Sequence, residues 1–127
     1  MNPAAAIDHT LLKSDTTASE VAGLCEEAVE YGFASVCVPP RFVRQAADLL
    51  YGSEVKTGTV VGFPLGYELM DIKAEQTAQA IQAGAEEIDM VIPLGAAREQ
   101  DFAAVAKDIR TVVARAAGRG GKVIIEC

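Results

Sequence analysis

The sequence predicts a parallel α/β fold, specifically a (β/α) half-barrel built from about the first five strands of a TIM barrel. Three observations carry that expectation. Five short β-type segments alternate with four amphipathic helices, and each helix gives way to glycine (Gly32, Gly52, Gly84, Gly118) just before the next strand. The strand segments have one apolar side and one mixed side. A whole (β/α)8 barrel takes about 250 residues, whereas this chain has 127, room for just over half. The alternative is an open flavodoxin-like sheet, whose two helix-covered faces would be equally apolar. No linker or low-complexity segment interrupts residues 1–127, which read as a single partial-barrel domain.

Residues 5–12 form a first apolar segment that runs into Lys13-Ser14-Asp15. Thr17-Ala18-Ser19-Glu20 matches a capping box, which satisfies two orphan amides at a helix start. Val21, Leu24, Cys25 and Ala28 follow at helical spacing up to Gly32. Ala34 to Val38 is the second strand, stopped by Pro39-Pro40. Pro40 opens a helix whose stripe is Phe42, Val43, Ala46, Leu49 and Leu50.

Val55 to Phe63, rich in Val and Thr, reads as the third strand and exits through Gly62-Phe63-Pro64-Leu65-Gly66. Asp71 opens a third helix, with Ala74, Ala78 and Ile81 facing inward. Glu86 to Pro93 is the fourth strand. A fourth helix is expected from about Arg98 to Ala117, with Phe102, Val105, Ala106, Ile109, Val112, Val113 and Ala116 as its stripe. Gly118-Arg119-Gly120-Gly121 then turns into a fifth strand beginning at Lys122.

Strand side chains alternate. One side carries Asp8, Thr10 and Leu12; Ser35 and Cys37; Thr57, Thr59 and Val61; Glu87, Asp89 and Val91; Lys122, Ile124 and Glu126. The other carries Ile7 and Leu11; Val36 and Val38; Ile88, Met90 and Ile92; Val123 and Ile125. Strand three fits poorly, with Gly58, Val60 and Gly62 on the nominally apolar side. A carboxylate in mid-strand, as at Asp89, is costly to bury without a partner, so its face is either wet or used for chemistry.

Half the residues are hydrophobic and 23% charged, a globular balance. A formal charge of −7 with scattered basic residues argues against a nucleic-acid partner. No apolar run approaches the roughly 20 residues of a membrane span, and the first residues do not read as a signal peptide. Three cysteines without Cys-x-x-Cys spacing and a lone His9 make a zinc site unexpected and point to reduced thiols in the cytoplasm. Gly118, Gly120 and Gly121 follow a helix and precede a strand, so they are a turn and not a dinucleotide fingerprint.

Five stretches together resemble one family: Ile7-Asp8-His9-Thr10-Leu11-Leu12-Lys13, Cys37-Val38-Pro39-Pro40, Val60 to Gly66, Glu87 to Ile92 and Lys122 to Glu126. In order and spacing they are similar to deoxyribose-phosphate aldolases, over about the N-terminal half of that family's barrel. The resemblance implies a Schiff-base lyase, without metal or organic cofactor, acting on a small phosphosugar. Such an enzyme reversibly cleaves 2-deoxy-D-ribose 5-phosphate to glyceraldehyde 3-phosphate and acetaldehyde. It implies that Asp89 is the proton-handling carboxylate. It also implies that Asp8, Thr10, Cys37 and Phe63 line or support the pocket.

The family's Schiff-base lysine stands on the sixth strand, and its phosphate loops follow the seventh and eighth. None of Lys13, Lys56, Lys73, Lys107 and Lys122 matches that position. Lys73 and Lys107 fall on helices, Lys56 and Lys122 at strand beginnings, and Lys13 in the loop after strand one. Three function classes follow: part of an aldolase, a catalytically inactive half-barrel used for structure or assembly, or a flavodoxin-like small-molecule binder. Edge strands one and five, with unpaired amides and carbonyls, predict self-association.

Overall fold

The computed structural model describes residues 2–116 and, as backbone, the strand at 120–124. The expected Gly118-Arg119 turn, Ile125, Glu126 and Cys127 lie outside the described residues. Five strands form one sheet: β1 (Asp8–Thr10), β2 (Ser35–Val38), β3 (Lys56–Val61), β4 (Glu87–Val91) and β5 (Gly120–Ile124). All pairings are parallel and the spatial order is β1-β2-β3-β4-β5. Each crossover thus steps to the next position in the same direction, as in a barrel. A flavodoxin-like sheet reverses its strand order at a switch point. The open-sheet alternative is thereby set aside.

The crossovers are α1 (Ala18–Tyr31), α2 (Val43–Leu50), α3 (Met70–Ala83), and a pair, α4 (Leu94–Arg98) and α5 (Phe102–Ala116). The capping box of α1 forms as expected: the Thr17 hydroxyl accepts from the Glu20 amide at 3.3 Å, and the Glu20 carboxylate accepts from the Thr17 amide at 2.9 Å. The Thr17 amide and then the Thr17 hydroxyl, both donating to the Glu20 carboxylate, hold it below its ordinary pKa. Gly32, at φ 69°, ends the helix in the left-handed conformation.

Val21, Leu24, Cys25 and Ala28 of α1 and Val43, Ala46 and Leu50 of α2 pack with Ala80 of α3 and Val112 of α5. Together they cover Val36, Val38, Val61, Ile88 and Met90 of the sheet. Helices cover one face, and the other is the concave interior of the half-barrel.

Four expectations need correction. The first segment is not one strand: Pro3–Ala6 is a 3-10 turn capped by the Asn2 side chain, leaving only Asp8–Thr10 as β1. The last helix does not run unbroken from Arg98. Arg98 ends α4, Gln100 adopts a positive φ of 61°, and Asp101 Oδ1 accepts from the Ala104 amide to start α5 at Phe102. Phe102, Val113 and, on α2, Leu49 are exposed, while Asp108 sits buried on the inner side of α5.

The third correction concerns the faces of β3. Val36 pairs with Thr57, Val38 with Thr59, Thr59 with Ile88 and Val61 with Met90. Residues paired across a parallel ladder point to the same side. Thr57, Thr59 and Val61 therefore face the helices, while Gly58 and Val60 face the interior with Cys37, Glu87 and Asp89. The buried Thr59 hydroxyl is satisfied by donating to the Val38 carbonyl at 2.7 Å, which makes a threonine acceptable under the helices. Fourth, Lys122 does not begin its strand. β5 starts at Gly120, and Lys122 is the register partner of Asp89.

Candidate active site

Interior side chains are positioned by the ladder. Asp89 lies mid-way along β4, 9% exposed. The Cys37 thiol donates to Asp89 Oδ2 at 3.8 Å, reaching from β2 to β4 across β3. That reach is possible because β3 offers only Gly58 at the level of Cys37 and Glu87. A Cβ at Gly58 would stand 3.0 Å from the Val36 carbonyl oxygen and 3.5 Å from Glu87 Cβ.

On β1, Asp8 Oδ1 accepts from the buried Ser35 hydroxyl at 2.6 Å, which fixes that carboxylate against the neighbouring strand. Thr10 pairs in register with Cys37, but its hydroxyl turns back to donate to the Asp8 carbonyl at 3.0 Å. His9 points to the helix side, where its ring rests 4.7 Å from that of Phe33; its Nε2 lies 3.4 Å from Glu27 Oε2 without the alignment of a hydrogen bond. It belongs to packing between sheet and helix and not to the interior.

At the C-terminal ends of β1 to β3 a cleft of about 200 Å³ opens, lined by Leu12, Lys13, Pro39, Phe42, Phe63 and Gln76 among others. Phe63, on the loop leaving β3, is 42% exposed there. Asp8, Thr10, Cys37 and Asp89 do not line this cleft. Two groups of candidate residues thus emerge: Cys37 and Asp89 bonded inside the sheet's concave face, and Phe63 with Lys13 at its rim. The β3–α3 loop ties the two levels together. Gly62 donates its amide to Gln76 Oε1 at 2.9 Å, and Gly66 at φ 75° lies so close to β4 that a Cβ would run into the Ile92 carbonyl.

The lysines separate by environment. Lys13, Lys56 and Lys107 are exposed. Lys73 is fully buried: its Nζ donates to Asp108 Oδ2 at 2.6 Å and to the Val91 carbonyl at 2.9 Å. Sequence reasoning placed Lys73 on a helix but missed this pair. The signal was present in Asp108, which sits three residues after Val105 and four before Val112, a carboxylate on the apolar stripe of its helix. Among the described residues no group of three His, Cys, Asp or Glu side chains could hold a metal ion. No described helix is long and apolar enough to cross a membrane.

The family model for DeoC/LacD aldolases matches residues 3–127, nearly the whole chain. The chain belongs to the DeoC/LacD aldolase family. Within it, the deoxyribose-phosphate aldolase of Syntrophotalea carbinolica is 56% identical over 126 residues, covering 99% of this chain and 57% of that protein. Among solved structures, a Coccidioides immitis protein provisionally named a deoxyribose-phosphate aldolase superposes with a TM-score of 0.94 at 41% identity. It covers 97% of this chain and 49% of that one. The deoxyribose phosphate aldolase of Aeropyrum pernix, described as tetrameric, gives a TM-score of 0.83 at 32% identity, over 94% of this chain and 50% of that one. The chain therefore spans about half the length of the aldolases it matches, and its sheet is the corresponding part of a DeoC/LacD barrel.

Proposed function

We propose that this chain forms the first five strands of a 2-deoxy-D-ribose 5-phosphate aldolase and contributes its proton-handling carboxylate, Asp89. The observation that carries the reading is Asp89 itself: a carboxylate 9% exposed in the middle of β4, on the concave face of an aldolase-family sheet, with the Cys37 thiol bonded to it. Burial on that scale is costly unless the group is partnered or used.

The chemistry divides between two groups. A lysine amine, which the resemblance assigns to a sixth strand, condenses with the C1 aldehyde and expels water to give an iminium. A base takes the proton from the C3 hydroxyl, the C2–C3 bond breaks, and its electron pair flows into the iminium to leave an enamine and glyceraldehyde 3-phosphate. Protonation of the enamine at C2 and hydrolysis release acetaldehyde and regenerate the amine. Asp89 receives and returns those protons, directly or through water. Asp8 and Thr10, tied to each other and to Ser35, hold the β1 side of the pocket. Cys37 orients Asp89, and Phe63 bounds the mouth.

None of the five lysines is assigned the nucleophile's part. Lys73, fully buried in an ion pair, cannot meet a substrate carbonyl. The isolated 127-residue chain is therefore expected to be inactive. Incubation with 2-deoxyribose 5-phosphate and cyanoborohydride, read by intact mass, should give no adduct; an adduct on any of its lysines overturns this assignment. In a protein continued to the length of the relatives, Asp89→Asn should lower kcat by about 10² to 10⁴, the usual share of a general acid–base group. An unchanged rate removes Asp89 from the mechanism.

Made as a separate 127-residue polypeptide, the chain is expected to self-associate. β1 and β5 each have a single ladder partner among the described residues, which leaves two sheet edges able to pair with another copy.

A further inference from the structure

We infer that Lys73 is a positioning residue for Asp89: from α3 it anchors the C-terminal end of β4, with Asp108 of α5 as its counter-charge. The inference rests on the reading of Asp89 given above but is tested without catalysis. The β3–β4 ladder ends at the Val61–Met90 pair. β3 then turns away at Gly62, φ 65°, the residue level with Val91, so beyond Met90 β4 keeps only β5 as a ladder partner. The Val91 carbonyl accepts from Lys73 Nζ at 2.9 Å, two residues beyond Asp89.

The route of the lysine side chain is built into its surroundings. A Cβ at Gly62 would stand 2.8 Å from Lys73 Cε and 3.4 Å from Cδ, so the glycine leaves the passage open. Nζ ends 2.6 Å from Asp108 Oδ2, and the Lys73 side chain has no exposure at all. A lysine carried this deep is expensive, and an apolar pair of similar volume would hold α3 against α5 at least as well. What an apolar pair cannot do is donate to the Val91 carbonyl. The charge is thus best explained by that bond, and Asp108 by the need to neutralise it.

Two consequences separate positioning from general support. Lys73→Met alone leaves Asp108 buried without its partner and unfolds readily, so the informative protein is Lys73→Met with Asp108→Leu. Its thermal midpoint should match or exceed that of the unaltered chain. Cys37, bonded to Asp89, reports the interior; Cys25, on the buried face of α1 and with its thiol pKa pushed up by burial, reports the helical layer.

Iodoacetamide labelling, mapped by peptide mass, should show Cys37 reacting about tenfold faster or more in the double variant with Cys25 unchanged. That is the change in local opening expected from losing one charge-assisted hydrogen bond. The carboxyl ¹³C resonance of Asp89 should shift while that of Asp8 holds. Equal acceleration at both cysteines would mean the pair supports the fold as a whole, and an unchanged Cys37 rate or Asp89 resonance would mean it positions nothing; either overturns the inference. Because no substrate is involved, failure of the Asp89 reading would show up separately, as an unchanged kcat in the Asp89→Asn protein.

Discussion

Gly58→Ala is the sharpest test of how the interior is built. The added Cβ would stand 3.0 Å from the Val36 carbonyl oxygen, a backbone atom held in the β2–β3 ladder, and 3.5 Å from Glu87 Cβ. Two effects oppose each other. Removing a glycine restricts the unfolded chain and stabilises by about 0.4–1 kcal/mol where the new residue fits. Overpacking against groups that cannot move costs about 1–3 kcal/mol. The clash should win, leaving the variant about 1 kcal/mol less stable, which lowers the urea midpoint by roughly 0.5 M for an m-value of about 2 kcal/mol/M.

Gly23→Ala supplies the control. Gly23 lies inside α1 with nothing within 4 Å of its added Cβ, so the substitution should stabilise by about 0.5–1 kcal/mol. Urea unfolding followed by circular dichroism measures both. A Gly58→Ala chain as stable as the unaltered one, or shifted upward in step with Gly23→Ala, would refute the argument that this glycine exists to clear the interior face.

Thr17→Ala removes one arm of the capping box and should cost about 1 kcal/mol in the same assay. Glu20, whose pKa is lowered from its ordinary 4.5, contributes stability that is present above that value and lost as pH falls through its folded value. The gap between the unaltered chain and Glu20→Gln should therefore be largest near neutral pH and close under acid, and a pH-independent gap would refute it. Sedimentation at tens of micromolar should show the isolated chain associating through its sheet edges, and a clean monomer would count against that.

Much of the fold was legible because each element carries its own punctuation. The capping box at Thr17 and the glycine at Gly32 bound α1 locally, and they hold in the structure. Alternation correctly put Asp89 opposite Ile88 and Met90. It failed on β3, where threonines were read as polar and so as interior. Inside the protein the Thr59 hydroxyl finds the Val38 carbonyl, and a β-branched residue then packs under a helix like a valine. The break between α4 and α5 was also hidden, because an apolar stripe can run past Gln100 while Asp101 starts a new helix.

By itself the sequence determined the strand and helix alternation, the family resemblance and the carboxylate at Asp89, since those depend on residue type and local spacing. The tertiary structure decided the rest: the sequential strand order, the bond between Cys37 and Asp89 across Gly58, and the burial of Lys73 against Asp108. Those contacts join residues 52 and 35 positions apart in the chain. No local pattern encodes such a distance; it is set only when parallel strands take their register and the helices close over one face.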